Sequence, residues 1–173
     1  MNKAVVVTLI GDDQPGLVNR VAAAARGAGA NWLESRMAHL AGRFAGIVHL
    51  QIPEDRAPAL EDALRGLAQG GLSIAFDYGS ETKASQTPAA VSLELTGHDQ
   101  PGIVEQITQV LARHQVSIEQ LETRCEPASM SGAPMFWAQA ELTVPQHLEL
   151  TTLQADLEAI AHALMVDLEL KST

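Results

Sequence analysis

The chain has 173 residues, with 11 Lys and Arg against 21 Asp and Glu, for a formal net charge of −10. That balance disfavours direct contact with a nucleic-acid backbone or an anionic membrane surface, since both are bound chiefly through Lys and Arg. A single cysteine, Cys125, excludes an intramolecular disulfide and with it a stapled, secreted framework.

Hydrophobic residues make up 46% of the chain, the ordinary level for a globular protein. The aromatics are two Trp, one Tyr and three Phe, so any core must be aliphatic. In chain order, the apolar run Ala4 to Ile10 reads as a first strand. It stops at Gly11-Asp12-Asp13 and lacks a small-residue cleavage site, so it does not read as a signal peptide. No apolar stretch approaches the roughly 20 residues that span a bilayer. The expected location is the cytoplasm.

A helix follows over about 15–28, with Leu17, Val18, Val21, Ala25 and Ala28 on one face. Gly27 and Gly29 end it. A second strand starts at Asn31. A third starts near Phe44 and alternates: Phe44, Gly46, Val48, Leu50 and Ile52 face one way, Ala45, Ile47, His49 and Gln51 the other. Pro53 closes it. A second helix spans about 56–70 with Leu60, Ala63, Leu64 and Leu67 as its stripe, and a fourth strand runs from Leu72 to Tyr78.

The pattern then repeats. Residues 11–16 read GDDQPG and residues 97–102 read GHDQPG, an offset of 86. Strand residues 90–96 match 4–10, and Ile103, Val104, Ile107, Val110, Leu111 and His114 repeat the first helix stripe. Asn31-Trp32 falls on Ser117-Ile118. Ile52-Pro53 pairs with Val144-Pro145 at an offset of 92, which implies an insertion in the second copy, placed in Glu126 to Pro134. Phe136, Ala138, Ala140, Leu142 and Val144 oppose Trp137, Gln139, Glu141 and Thr143. The second copy ends with a helix over about 147–163 and a strand from Leu164 to Leu170.

The order β-α-β-β-α-β, twice, predicts an α+β chain of two ferredoxin-like domains. Each has an antiparallel four-stranded sheet with two helices on one face. The domains are expected at 1–79 and 89–173, with a linker over 80–88 marked by its composition. The other sheet face carries Ile47 and Trp137. A Trp there fits burial against a partner as well as plain exposure. Charge divides unequally: residues 1–86 hold 8 basic and 9 acidic side chains, for −1, and residues 87–173 hold 3 and 12, for −9.

The repeated loop is chemically readable. Asp13 and Asp99 suit helix capping. Pro15 and Pro101 suit the first helical turn. Gly16 and Gly102 leave room for a ligand or another backbone. A helix N-terminus favours a carboxylate, and a neighbouring Asp could hold an ammonium group, so an amino acid is the natural guest. Equally, strand-Gly-x-Asp-x-Pro-Gly-helix is a good capped turn with no ligand. Spacing alone leaves both readings open.

A strand, a G-x-D-x-P-G turn, a helix opening with Leu17-Val18 or Ile103-Val104, and Asn31-Trp32 or Ser117-Ile118 at the next strand resemble the ACT domain. That is a ferredoxin-like regulatory module that typically binds amino acids. Two such domains with no catalytic domain attached resemble the glycine cleavage system transcriptional repressor family. The run Asn31 to Ala38 (NWLESRMA) adds to this, since the family often has Asn-Ile followed by Ser-Arg-Met. Similar modules begin formyltetrahydrofolate deformylases and phosphoserine phosphatases, which carry a catalytic domain as well. The resemblance implies ligand sites where the first loop of one domain meets the second strand of a neighbour. One site would join Asp13, Gln14, Pro15, Gly16, Leu17 and Val18 to Ser117 and Ile118. The other would join Asp99, Gln100, Pro101, Gly102, Ile103 and Val104 to Asn31 and Trp32. Ser117 is shorter than Asn31 and carries fewer hydrogen-bonding groups, so the sites are expected to be unequal.

Other constellations are weak. The six histidines show no metal-ligand spacing. Cys125 has no flanking base, although Arg124 could lower its pKa. No nucleophile elbow, P-loop or dinucleotide fingerprint occurs. No catalytic residue, metal or cofactor is expected. The expected function is a non-catalytic, amino-acid-binding regulator of glycine or amino-acid metabolism. Its ligand would be a small amino acid, glycine if the resemblance holds. Its partner would be a protein, with a transcriptional activator among the candidates, no nucleic acid or membrane bound directly and a homodimer among the expected assemblies. The alternative is a detached regulatory subunit of an amino-acid metabolic enzyme.

Overall fold

The computed structural model describes residues 1–79, 89–129 and 132–172. The chain falls into two compact units, Met1–Lys83 and Ala84–Thr173. The linker expected over 80–88 lies outside the described residues.

The first unit contains β1 (Asn2–Asp12), α1 (Leu17–Gly27), β2 (Asn31–Leu40), β3 (Arg43–Pro53), a 3₁₀ turn (Glu54–Arg56), α2 (Ala57–Ala68) and β4 (Ser73–Asp77). The second contains β5 (Ala89–His98), α3 (Ile103–Arg113), β6 (Ser117–Pro127), β7 (Pro134–Val144), α4 (Leu150–Leu164) and β8 (Val166–Ser172). Each sheet is antiparallel throughout, in the orders β2-β3-β1-β4 and β6-β7-β5-β8. This is the predicted ferredoxin-like arrangement, formed twice.

The predicted alternation decides which face is covered. Val5, Val7, Leu9, Val48, Leu50 and Ile52 are fully buried against Leu60 and Leu64 of α2, with Val21 of α1 beside them. Both helices therefore lie on one face of the sheet. Val18, expected in the α1 stripe, instead stays 42% exposed. The second core repeats the plan with Leu93, Leu95, Leu142, Val110, Leu153 and Leu157. Truncating one such Leu to Ala would cost about 2–5 kcal/mol, since the cavity cannot fully collapse.

β2 and β3 join through Ala41-Gly42, both at positive φ (50° and 77°), the conformation of a tight two-residue hairpin. In the second unit β6 ends at Pro127 and β7 begins at Pro134. His39 pairs with Phe44 and Cys125 with Phe136, so the offset changes from 86 to 92 across this connection, where the insertion is expected.

The faces turned away from the helices differ. Register places Val6, Ile10, Ala45 and Ile47 on that face of the first sheet. In the second, Glu94, Glu122, Glu141 and Glu169 occupy it, with Lys171 Nζ 3.5 Å from Glu94 and 3.0 Å from Glu169. Trp137 is half-buried beneath the Arg124 guanidinium, 3.9 Å from the ring centroid. The unit's own arginine thus covers one ring face.

Candidate functional site

The loop between the first strand and first helix has the same construction in both units. The chain leaves β1 at Asp12 and turns through Gln14-Pro15-Gly16, where the Leu17 amide donates to the Gln14 carbonyl at 3.1 Å. Gly16 has φ 81° and ψ 6°, which with Pro15 before it gives a type II turn. Gly102 repeats this at φ 96° and ψ −4°.

These glycines are the residues immediately preceding α1 and α3, and their carbonyls accept from Arg20 and Gln106, at 3.0 Å each. Pro15 and Pro101 consequently precede the helices, not within the first turn as expected. The capping expectation for Asp13 and Asp99 fails too, because no side chain caps either N-terminus. The left-handed turn points both carboxylates elsewhere. No acidic residue lies in the first turn of α1, whereas α3 has Glu105 there.

The Asp13 amide donates to Gly42 at 3.3 Å, and its carboxylate lies 3.9 Å from His39 on β2. The Asp99 amide donates to Pro134 at 3.0 Å. Its carboxylate acts electrostatically on the Cys125 thiol of β6. Desolvation first, and then Asp99, push the Cys125 pKa up, opposite to the lowering expected from Arg124. Arg124 is engaged by Trp137 and, at 3.1 Å, by Glu126. Sequence reasoning missed these pairs, although the offset of 86 sets Cys125 on His39.

The glutamines diverge. Gln14 Oε1 accepts from Arg20 at 3.1 Å, within its own loop and helix. Gln100 Nε2 donates to the Leu164 carbonyl at the end of α4, tying the second loop to the far helix. Leu17 and Ile103 are buried in their cores, so their side chains are structural first. Val18 and Val104 remain exposed beside them. Asn31 and Ser117 open β2 and β6 as exposed residues paired with Gln51 and Thr143. Trp32 packs against the first core, whereas Ile118 stays 38% exposed.

A β-bulge follows in each edge strand, between Trp32 and Glu34 and between Ile118 and Gln120. An extra residue reverses the alternation. Beyond it, Ser35 and Met37 face the first core's side of the sheet, as Leu121 and Thr123 do in the second. In the second unit this leaves a small apolar gap between α3 and β6, with room for about one water. Ile103, Val104 and Ile118 of the expected site residues share it, with Leu121, Thr123 and Phe136.

Among the described residues, no group of three or more His, Cys, Asp or Glu could hold a metal ion. No helix among them is long and apolar enough to cross a membrane.

The ACT domain matches this chain twice, over residues 3–77 and 91–138. The chain is 27% identical over 165 residues to the glycine cleavage system transcriptional repressors of Escherichia coli K12 and Shigella flexneri, covering 94% of this chain and 84% of each relative. A solved structure of a protein of unknown function from Galdieria sulphuraria is 29% identical, with a TM-score of 0.90 over 100% of this chain and 99% of that one. These similarities support a regulatory role. The chain belongs to the ACT-domain family and carries two of its domains in tandem.

Proposed function

We propose that this protein is a non-catalytic, cytoplasmic regulator of glycine or amino-acid metabolism. It binds a small amino acid, and glycine is the first ligand to test given the similarity to glycine cleavage repressors. The observation that carries the reading is the duplicated turn. In both units a left-handed glycine precedes a helix whose N-terminal amides no side chain caps. Such an end favours a ligand carboxylate. In this reading Asp13 to Val18 and Asp99 to Val104 each form part of a ligand site.

Ligand binding shifts the balance between conformations that differ in affinity for a protein partner, a transcriptional activator in this reading. The acidic outer face of the second sheet suits a basic partner and disfavours nucleic acid. The test is a melting-temperature screen of the common amino acids on the full chain. A rise with one or a few supports the reading; no rise with any at millimolar concentration removes it. Capture of a transcription factor, as against a metabolic enzyme, then separates this reading from a detached enzyme subunit.

A further inference from the structure

We propose that the outer face of the first sheet joins two copies of this chain, sheet against sheet, about a two-fold axis. This goes beyond the amino-acid reading and does not depend on it.

The duplicated fold supplies its own control. Each sheet builds its core on the helix side, so its outer face needs no apolar residue for folding. In the first sheet that face nevertheless carries Val6 and Ile10 on β1, Ala38 and Leu40 on β2, and Ala45 and Ile47 on β3. Ile10, Ile47 and Leu40 are 44%, 53% and 77% exposed. Register sets Ile10 beside Ala45 and Ala45 beside Ala38, with Ile47 next on that face of β3, so the side chains form one patch. At the offsets of 86 and 92, the second unit has Ser92, Thr96, Arg124, Glu126 and Gln139 in place of Val6, Ile10, Ala38, Leu40 and Ile47. Its one large apolar replacement, Trp137 for Ala45, lies under its own Arg124. The fold accepts polar residues at these positions. A contiguous exposed patch that folding does not require marks an interaction surface.

Charge points to the occupant. Asp12 pairs with Arg43, and Glu34 Oε1 lies 3.0 Å from Arg36 Nη1. With Asp77 on β4, the charges that register places on this face come to −1. Two such faces scarcely repel, and a strongly charged partner would gain little there. On the second face Glu94, Glu122, Glu126, Glu141, Asp167 and Glu169 stand against Arg124 and Lys171, for −4. That face would repel its own copy. Shape favours self-association as well, since two sheets of equal twist stack face to face and a two-fold axis sets each patch on itself. Strands β1, β2 and β3 are 11, 10 and 11 residues long. They offer about 500 Å² per copy and about 1,000 Å² in a dimer, the lower end for a specific interface. The dimer is therefore reversible.

Sedimentation of the full chain across the micromolar concentration range tests this. A monomer–dimer equilibrium is expected. Ile47→Glu sets a carboxylate against its counterpart across the axis and should weaken the dimer at least about tenfold. Ile47→Gln, which installs the residue type of Gln139, should weaken it too. Gln139→Glu on the second face should leave it unchanged. All three positions are exposed, so far-UV circular dichroism should stay native. A monomer at every concentration would overturn the inference. So would a dimer untouched by both Ile47 substitutions, or one weakened equally by Gln139→Glu.

Discussion

The Asp13 carboxylate lies 3.9 Å from the His39 imidazole, and in the second unit the same two positions hold Asp99 and Cys125. The repeated loop therefore sends its aspartate to the edge strand of its own sheet in both units. The partner on that strand changed while the carboxylate stayed.

This bears on thiol chemistry. Cys125 is exposed, yet desolvation and Asp99 raise its pKa, so little thiolate forms near neutrality. Alkylation should be slow for an accessible cysteine. Asp99→Asn removes the negative charge, lowers the pKa and should speed alkylation by iodoacetamide at neutral pH. A rate unchanged by Asp99→Asn would contradict the pairing.

The motif glycines should differ in how they fail. Gly16→Ala meets nothing within 4 Å, so its cost is conformational only, on the order of 1 kcal/mol. Gly102→Ala should cost about the same, with Gln106 Nε2 at 3.3 Å as a movable neighbour. At Gly97 a Cβ would sit 2.4 Å from Val166 Cγ1 and 3.0 Å from the Val166 Cα. Gly97→Ala should therefore be the most damaging of the three, since overpacking adds about 1–3 kcal/mol and β8 would have to move. Thermal denaturation of the three variants gives the order. A milder Gly97→Ala would refute it.

The expected fold and the observed one agree wherever periodicity is simple. Val48, Leu50 and Ile52 on β3, and Ala138 to Val144 on β7, point where period two puts them. The edge strands were harder to read. A bulge in each shifts the inward set to Trp32, Ser35 and Met37, and to Ile118, Leu121 and Thr123, a spacing that matches neither strand nor helix. That is why the gap left no mark in the sequence pattern. The loop was legible as a helix start, but not its handedness. Asp before Pro-Gly suggests a cap, whereas the positive φ of Gly16 and Gly102 turns the aspartate away from the helix end.

Tyr78 is the one tyrosine in the chain, so its ionisation can be followed alone. Burial, and then a hydrogen bond to Glu61, push its pKa up to about 12. The raised value means that protonated Tyr78 stabilises the fold fully below its unfolded pKa of about 10. That contribution is lost as pH rises through about 12. Tyrosinate absorbance should show a midpoint well above 10 in the folded protein and a lower one in Glu61→Gln. A midpoint near 10 in both proteins would refute the contact.

Arg124 over Trp137 should be visible by fluorescence. Arg124→Ala uncovers a ring face and should shift the indole emission to the red. The loss of stability should be modest, about 0.5–1 kcal/mol for an exposed cation–π contact. Unchanged emission would mean that the guanidinium does not shield the ring.

The two turns are proposed to form part of amino-acid sites. The most direct measurement is the melting temperature of the full chain against each common amino acid. At about 100 times its dissociation constant, a ligand of one site adds roughly 2.7 kcal/mol. A clear, saturable rise with a small set of amino acids is expected. A flat response to every one of them at millimolar concentration would contradict it.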